Sequence, residues 1–224
     1  MKLAPLPPDE KERQEAVDEA GMVGLAKEER FDRITRITRK LFRAPCAILT
    51  VIDKDRAIFK SNALDDKGAE SVSMGDSARD VGFCAHTILS EETLIVPDSH
   101  KDERFHDNPH VTSGLKVRFY VGKPIHTPNG QRVGTICVVD RVPRQVTAED
   151  LTSLNDMAKI VEEEIKKNIV NLSPELIERL GENMTTRAIH SNFKEKIMGL
   201  RQVVNKRKKS KSKLRSDKDK KDNT

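Results

Sequence analysis

Two apolar runs, Val117-Arg118-Phe119-Tyr120-Val121 and the stretch from Gln131 to Val139, flank Pro128-Asn129-Gly130. An Asn-Gly pair between β-branched and aromatic segments supplies the positive φ angles that a hairpin turn requires, so these runs must pair antiparallel. An isolated hairpin is marginal in water, and the chain therefore needs further strands and a covering layer. Ala47 to Ile52, closed by Asp53-Lys54-Asp55, and Ala57 to Lys60 form a second hairpin. Thr93-Leu94-Ile95-Val96 is a short strand stopped by Pro97.

Helical spacing surrounds these strands. Asp9 starts a charged helix that runs to about Ala20 and ends at Gly21, after a Pro-rich, loose stretch over residues 1–8. Phe31, Ile34, Ile37 and Leu41 recur every three or four residues, which predicts a helix from Leu25 to about Phe42. Val81 to Leu89 reads as helix, whereas residues 65–80 read as loop. Thr147-Ala148-Glu149-Asp150 is a capping box, and Leu151, Leu154, Ala158, Val161 and Ile165 continue it as one apolar stripe. The order of elements defines an α+β domain over residues 25–170, an antiparallel sheet with flanking helices. Residues 1–24 are a charged N-terminal extension, 171–204 a C-terminal helical segment and 205–224 a basic disordered tail.

Charge excludes one whole-chain reading. The net charge of +5 and basic pI suggest a nucleic-acid binder. From Arg201 onward, however, eleven Lys/Arg face three Asp, which leaves 30 basic and 33 acidic residues in the first 200. The body is mildly acidic, at −3, and the basicity belongs to the tail. Ile189, Phe193, Ile197, Leu200 and Val204 line one helical side leading into Lys206-Arg207-Lys208-Lys209. That arrangement suits a solvated end, an import signal or a contact with nucleic acid, an anionic membrane or an acidic protein. No apolar run approaches the roughly 18 residues that span a bilayer. Three widely spaced cysteines make no disulfide framework. The expected location is the cytoplasm, or the nucleus in a eukaryote.

Several pieces in order resemble a GAF domain: Ala47-Ile48-Leu49-Thr50-Val51-Ile52-Asp53, Phe83-Cys84-Ala85-His86-Thr87-Ile88-Leu89, and Leu94-Ile95-Val96-Pro97-Asp98. Asp102-Glu103-Arg104-Phe105, Arg118-Phe119-Tyr120-Val121-Gly122-Lys123-Pro124-Ile125 and Gly134-Thr135-Ile136-Cys137-Val138-Val139-Asp140 complete the set. The resemblance implies a central antiparallel sheet, helices on one face and a ligand pocket on the other. It is closest to the sensory and signalling subgroup. It also implies Phe83, His86, Arg104, Phe105, Arg118 and Tyr120 as ligand contacts. The arginines suit an anionic ligand group because a guanidinium grips carboxylate or phosphate bidentately.

Catalytic and metal chemistry find little purchase in the sequence. Cys84 and His86 stand about 200° apart on a helix, and Cys84 falls on the apolar side with Val81, Ala85 and Ile88, where a thiol packs as a small hydrophobe. His106 and His110 alone have zinc-like spacing, in a polar stretch. Free methionine-sulfoxide reductases share the GAF fold, but the loop where that family carries its attacking cysteine reads His106-Asp107-Asn108-Pro109-His110 here. No Gly-rich phosphate loop is present. The expectation is therefore a non-enzymatic sensory module with no catalytic residue, no metal and an unassigned cofactor. It binds an unidentified small molecule and forms a homodimer through its flanking helices. The alternatives are a ligand-free interaction scaffold using the basic tail, and a reductase-like enzyme.

Overall fold

A computed structural model describes residues 1–23, 28–65 and 76–171. The helices are α1 (Glu10–Ala20), α2 (Glu29–Leu41), α3 (Phe83–Thr87), α4 (Pro109–Thr112) and α5 (Ala148–Asn171). The strands are β1 (Cys46–Ile52), β2 (Arg56–Leu64), β3 (Ser77–Ala78), β4 (Leu94–Val96), β5 (Phe119–His126) and β6 (Arg132–Asp140). They form one six-stranded sheet in the order β3-β2-β1-β6-β5-β4, antiparallel throughout. Both expected hairpins are present. Residues 172–204 of the expected C-terminal helical segment and the tail expected at 205–224 lie outside the described residues, as does most of the stretch 65–80 expected as loop, whose described end instead carries β3.

The central strands explain why their sequences run apolar without alternation. All seven residues of β1 are buried, because helices cover one face of the sheet and the α3–α4 region covers the other. On the first face Leu49, Val51, Val121 and Ile136 pack against α1, α2 and α5. On the second, Ile48, Tyr120, Cys137 and Val139 meet Phe83, Cys84 and Phe105. The two edges are strands of two and three residues, too short to template pairing with another chain.

The hairpin joining β5 to β6 differs from the expected tight turn. Only Gly130 has a positive φ, 84°, while the Gly130 N–H reaches the Thr127 carbonyl at 2.8 Å. Pro128 pre-sets its own φ near −65°, which starts a type I turn and leaves the left-handed position to the following glycine. In β2, by contrast, a bulge between Leu49 and Thr50 makes Lys60 the extra residue. The bulge aims Lys60 inward, where Nζ meets Glu28 at 2.9 Å.

Helix α2 buries a different stripe from the one its apolar spacing suggests. Phe31, Ile34, Thr35 and Thr38 face the sheet, whereas Ile37 and Leu41 remain 43% and 52% exposed. The threonines tolerate burial because their hydroxyls are satisfied, Thr35 against Ser61 Oγ at 2.9 Å and Thr38 on the Ile34 carbonyl at 2.8 Å. Helix α5 starts at the expected capping box, the Asp150 N–H donating to Thr147 Oγ1 and the Thr147 N–H to the Asp150 carboxylate. Leu154 and Val161 are fully buried in the domain's own core, so they are not available to a partner chain. The two helices run side by side in opposite directions: Arg30 reaches Glu164 and Asn168, while Leu41 and Phe42 share a cleft with Glu149 and Ser153.

Residues 1–23 pack onto the domain. Ala16, Val17, Ala20 and Met22 belong to the helical core. Arg13, 1% exposed, donates to the Ile52 carbonyl at 2.6 Å and pairs with Glu10, which also receives Arg79 at 2.7 Å. Residues 2–4 lie across α3 and the 102–108 turn, with Lys2 N–H on the Arg104 carbonyl and Ala4 N–H on the Asp80 carbonyl. Among the described residues no helix is long and apolar enough to cross a membrane.

Candidate functional site

Beneath α3, on the sheet face away from the long helices, lies a cavity of about 320 Å³. Its floor is Ile48, Cys137, Val139 and Tyr120 from the three central strands; Phe83 and Cys84 form one wall and Leu115 and Val117 another. His110, Asp76 and Ser77 supply polar groups among the lining residues. The floor residues share this face because positions two apart on a strand point the same way. The volume is at the lower end of small-molecule sites, and mostly apolar walls with few polar groups suit an organic ligand.

Three rings set the cavity's shape. Phe83 stacks on Phe105 at 4.1 Å between centroids and on Tyr120 at 5.0 Å. The Tyr120 hydroxyl bonds Thr87 Oγ1 at 2.7 Å, tying β5 to the end of α3. The Tyr120 ring lies back along its own strand over Gly122, where a Cβ would come within 2.1 Å of the hydroxyl oxygen.

The thiols of Cys84 and Cys137 meet at 3.9 Å in the cavity's inner wall. Cys84 Sγ also lies 3.4 Å from Thr50 Oγ1, and the Tyr120 hydroxyl donates to it at 3.7 Å. The Thr135 hydroxyl is buried on the same face, beside the Cys84 thiol. The bond from the Cys137 thiol holds the Cys84 thiol below the usual range against its burial, and the hydroxyls of Thr135, Thr50 and Tyr120 add to it. Sharing that bond, together with burial, pushes Cys137 up. Cys46 is a separate case, pushed by burial to about 12. The helical phase of Cys84 does point it inward, but what it meets is a cavity wall and a second thiol. The second thiol comes from a strand 53 residues away, which no local pattern reveals.

Of the six expected contacts, Phe83 and Tyr120 line the cavity, and Phe105 packs behind Phe83. His86 points outward, edge-on to Phe105, with Nε2 at 3.1 Å from the Lys2 carbonyl. Burial lowers its pKa, and the nearby Arg104 adds to that. Arg104 is held by Asp102 at 2.6 Å and Arg118 by Asp98 at 3.0 Å; neither is among the lining residues. Their guanidiniums are engaged by carboxylates on neighbouring turns, a pairing that strand periodicity does not report. Among the described residues no three His, Cys, Asp or Glu side chains are grouped to hold a metal.

An antiparallel sheet with helices on one face and a mostly apolar, partly open pocket on the other defines an α+β fold. The chain belongs to the GAF domain family, which it matches over residues 27–165. It is 33% identical over 162 residues to a cyclic di-GMP phosphodiesterase of Pseudomonas aeruginosa, a match covering 72% of this chain and 26% of that protein. The chain thus spans about a quarter of that relative's length. Among solved structures it shares its fold with the GAF domain of Thermosynechococcus elongatus PixJ (TM-score 0.51, 13% identity, 77% of this chain and 95% of that one). It is similarly close to the free methionine-R-sulfoxide reductase of Neisseria meningitidis (TM-score 0.51, 14% identity, 77% and 100%).

These relatives correct the expectation that the chain is not an enzyme. The curated relative is named a phosphodiesterase, and the fold is shared with sulfoxide reductases as well as with sensors.

Proposed function

We propose that the chain is a regulatory module that binds a small, largely apolar molecule in the cavity beneath α3. The observation that carries this reading is the cavity itself, set against the sheet and walled by the stacked Phe83 and Tyr120, in a family with sensory members. Occupancy would press on β1, β5 and β6, whose opposite face carries α2 and α5. The outer sides of those helices hold Ile37, Leu41 and Ile160, the last 44% exposed, and these support homodimerisation as the output. In this reading the chain works in the cytoplasm, where its three thiols stay free. The +8 balance of residues 201–224 supports an additional contact with an anionic partner.

Native mass spectrometry of freshly purified protein tests the proposal. A one-to-one adduct is expected in the wild type and lost in Leu115→Trp, which fills the cavity from its wall. Wild-type protein that carries no adduct, and whose melting temperature does not shift with a metabolite extract, would overturn the reading.

The identity to the phosphodiesterase favours a second reading, in which the chain takes part in cyclic di-GMP turnover. Incubation with cyclic di-GMP and a divalent cation should then release the linear dinucleotide, resolved by chromatography. Unchanged cyclic dinucleotide would remove direct hydrolysis from consideration.

A further inference from the structure

The paired thiols are not explained by ligand binding. Cys137 sits in β6, held on both sides by β1 and β5. Cys84 sits in α3, a helix of only five residues entered through an extended Gly82. One sulfur is therefore anchored in the sheet and the other rides on a short helix. The sulfurs are 3.9 Å apart, whereas a disulfide needs about 2.05 Å. A shift of α3 toward the sheet, combined with side-chain rotation, can close that gap. Both thiols line the cavity, so a small reagent entering it reaches them even though they are closed to bulk solvent.

We propose that Cys84 and Cys137 are a modification site, forming a reversible intramolecular disulfide when a hydroperoxide enters the cavity. In the first step the Cys84 sulfur attacks the peroxide and the O–O bond breaks. Cys84 becomes a sulfenic acid, and the departing oxygen takes the thiol proton to leave as water or an alcohol. In the second step the Cys137 sulfur attacks Cys84, the S–O bond breaks, and hydroxide leaves as water with the Cys137 proton. Two thiols are oxidised and one peroxide is reduced; a dithiol reductant reverses the bond by exchange. The Tyr120 hydroxyl stands at 3.7 Å from Cys84 Sγ and the Thr50 hydroxyl at 3.4 Å, placed to donate to the negative charge that develops on that sulfur. The buried Thr135 hydroxyl is a further donor to the same sulfur. Because α3 forms a cavity wall, the bond narrows the cavity. Cys46 stays out: it lies on β1, and burial keeps its thiol protonated.

The three cysteines fall in separate tryptic peptides, 44–54, 80–101 and 133–141, so the pairing can be read directly. Reduced full-length protein is treated with equimolar hydrogen peroxide, alkylated, digested and analysed by mass. The expected result is a 2 Da loss, a linked pair of peptides 80–101 and 133–141, alkylated Cys46, and restoration of all three thiols by dithiothreitol. Cys46→Ser should behave like the wild type. In Cys137→Ala the sulfenic acid on Cys84 should persist and be trapped by dimedone. If either variant fails to fold, the wild-type peptide map still decides. Three alkylated thiols after peroxide, a bridge that includes Cys46, or over-oxidation of Cys84 beside a free Cys137 would each overturn the proposal.

Discussion

The Tyr120 hydroxyl occupies the space in which any side chain on Gly122 would have to sit. A Cβ there would lie 2.1 Å from the hydroxyl oxygen and 2.6 Å from the ring carbon bearing it. Glycine at 122 is thus what lets the ring lie flat, reach Thr87 and form the cavity floor. Gly122→Ala should destabilise the domain by about 1–3 kcal/mol, the usual range for overpacking. Urea denaturation checks this, and a cycle with Tyr120→Ala should be strongly non-additive, since removing the ring removes the clash. Additive losses would separate the two residues.

Leu154 and Ile160 sit on one helix and should answer to mutation very differently. Leu154→Ala opens a hole in a fully buried site and should cost about 2–5 kcal/mol. Ile160→Glu should change stability by less than about 0.5 kcal/mol. Combined with Ile37→Glu, it should instead lower the sedimentation coefficient if the outer faces of α2 and α5 associate. A folded double variant that sediments like the wild type would remove these faces as the interface.

His126 clasps three parts of the fold, with Nδ1 at 2.8 Å from Glu162 on α5 and Nε2 at 2.8 Å from Glu91 before β4. The bond to Glu162 raises its pKa above 6.5 against partial burial, and Glu91 adds to the rise. A raised folded-state pKa means the clasp's stability is fully present below pH 6.5 and is lost as pH rises through the folded value. His126→Gln should therefore cost about 0.5–1 kcal/mol at pH 6 and little at pH 9, by chemical denaturation. His86 and His110 oppose this trend, because burial lowers both, so the difference between variant and wild type is the quantity to follow.

Glu10 joins α1 to the turn that leads into α3. Burial acts to raise its carboxyl, but the bonds from Arg13 and Arg79 outweigh it and hold the group at about 2. The linkage is opposite in sign to that of His126: the stability is present above pH 4.5 and lost as pH falls toward 2. Glu10→Gln should destabilise the protein by about 1–2 kcal/mol at pH 7, a figure reduced for solvent screening, and the penalty should shrink below pH 4.5. A pH-independent difference would assign the effect to shape alone.

Periodicity along the chain was enough for the architecture. Thr147 and Asp150 mark the start of α5, Asn129-Gly130 marks the β5–β6 connection, and Leu49, Val51 and Ile136 read as strand because their neighbours are β-branched and bounded by turns. These are local effects, in which capping, turn dihedrals and side-chain alternation act within a few residues. The choice of buried face on α2 was not local. Thr35 and Thr38 are buried because Ser61 and the helix's own carbonyls satisfy them, while Ile37 and Leu41 are left outside.

The site was still less legible. Phe83 and Tyr120 could be marked from their motifs, but Arg104 and Arg118 carry the same apparent promise and are engaged by Asp102 and Asp98. Cys84 read as packing, and its meeting with Cys137 depends on a helix and a strand distant in sequence. By itself the sequence determined most of the helices, strands and turns, because those states depend on propensities and hydrogen bonds between near neighbours; it read the two-residue β3 as loop and did not mark the single turn of α4. Only the tertiary structure decided which polar groups were already satisfied, which thiols touched and where a cavity remained, because each depends on the distance between atoms far apart along the chain.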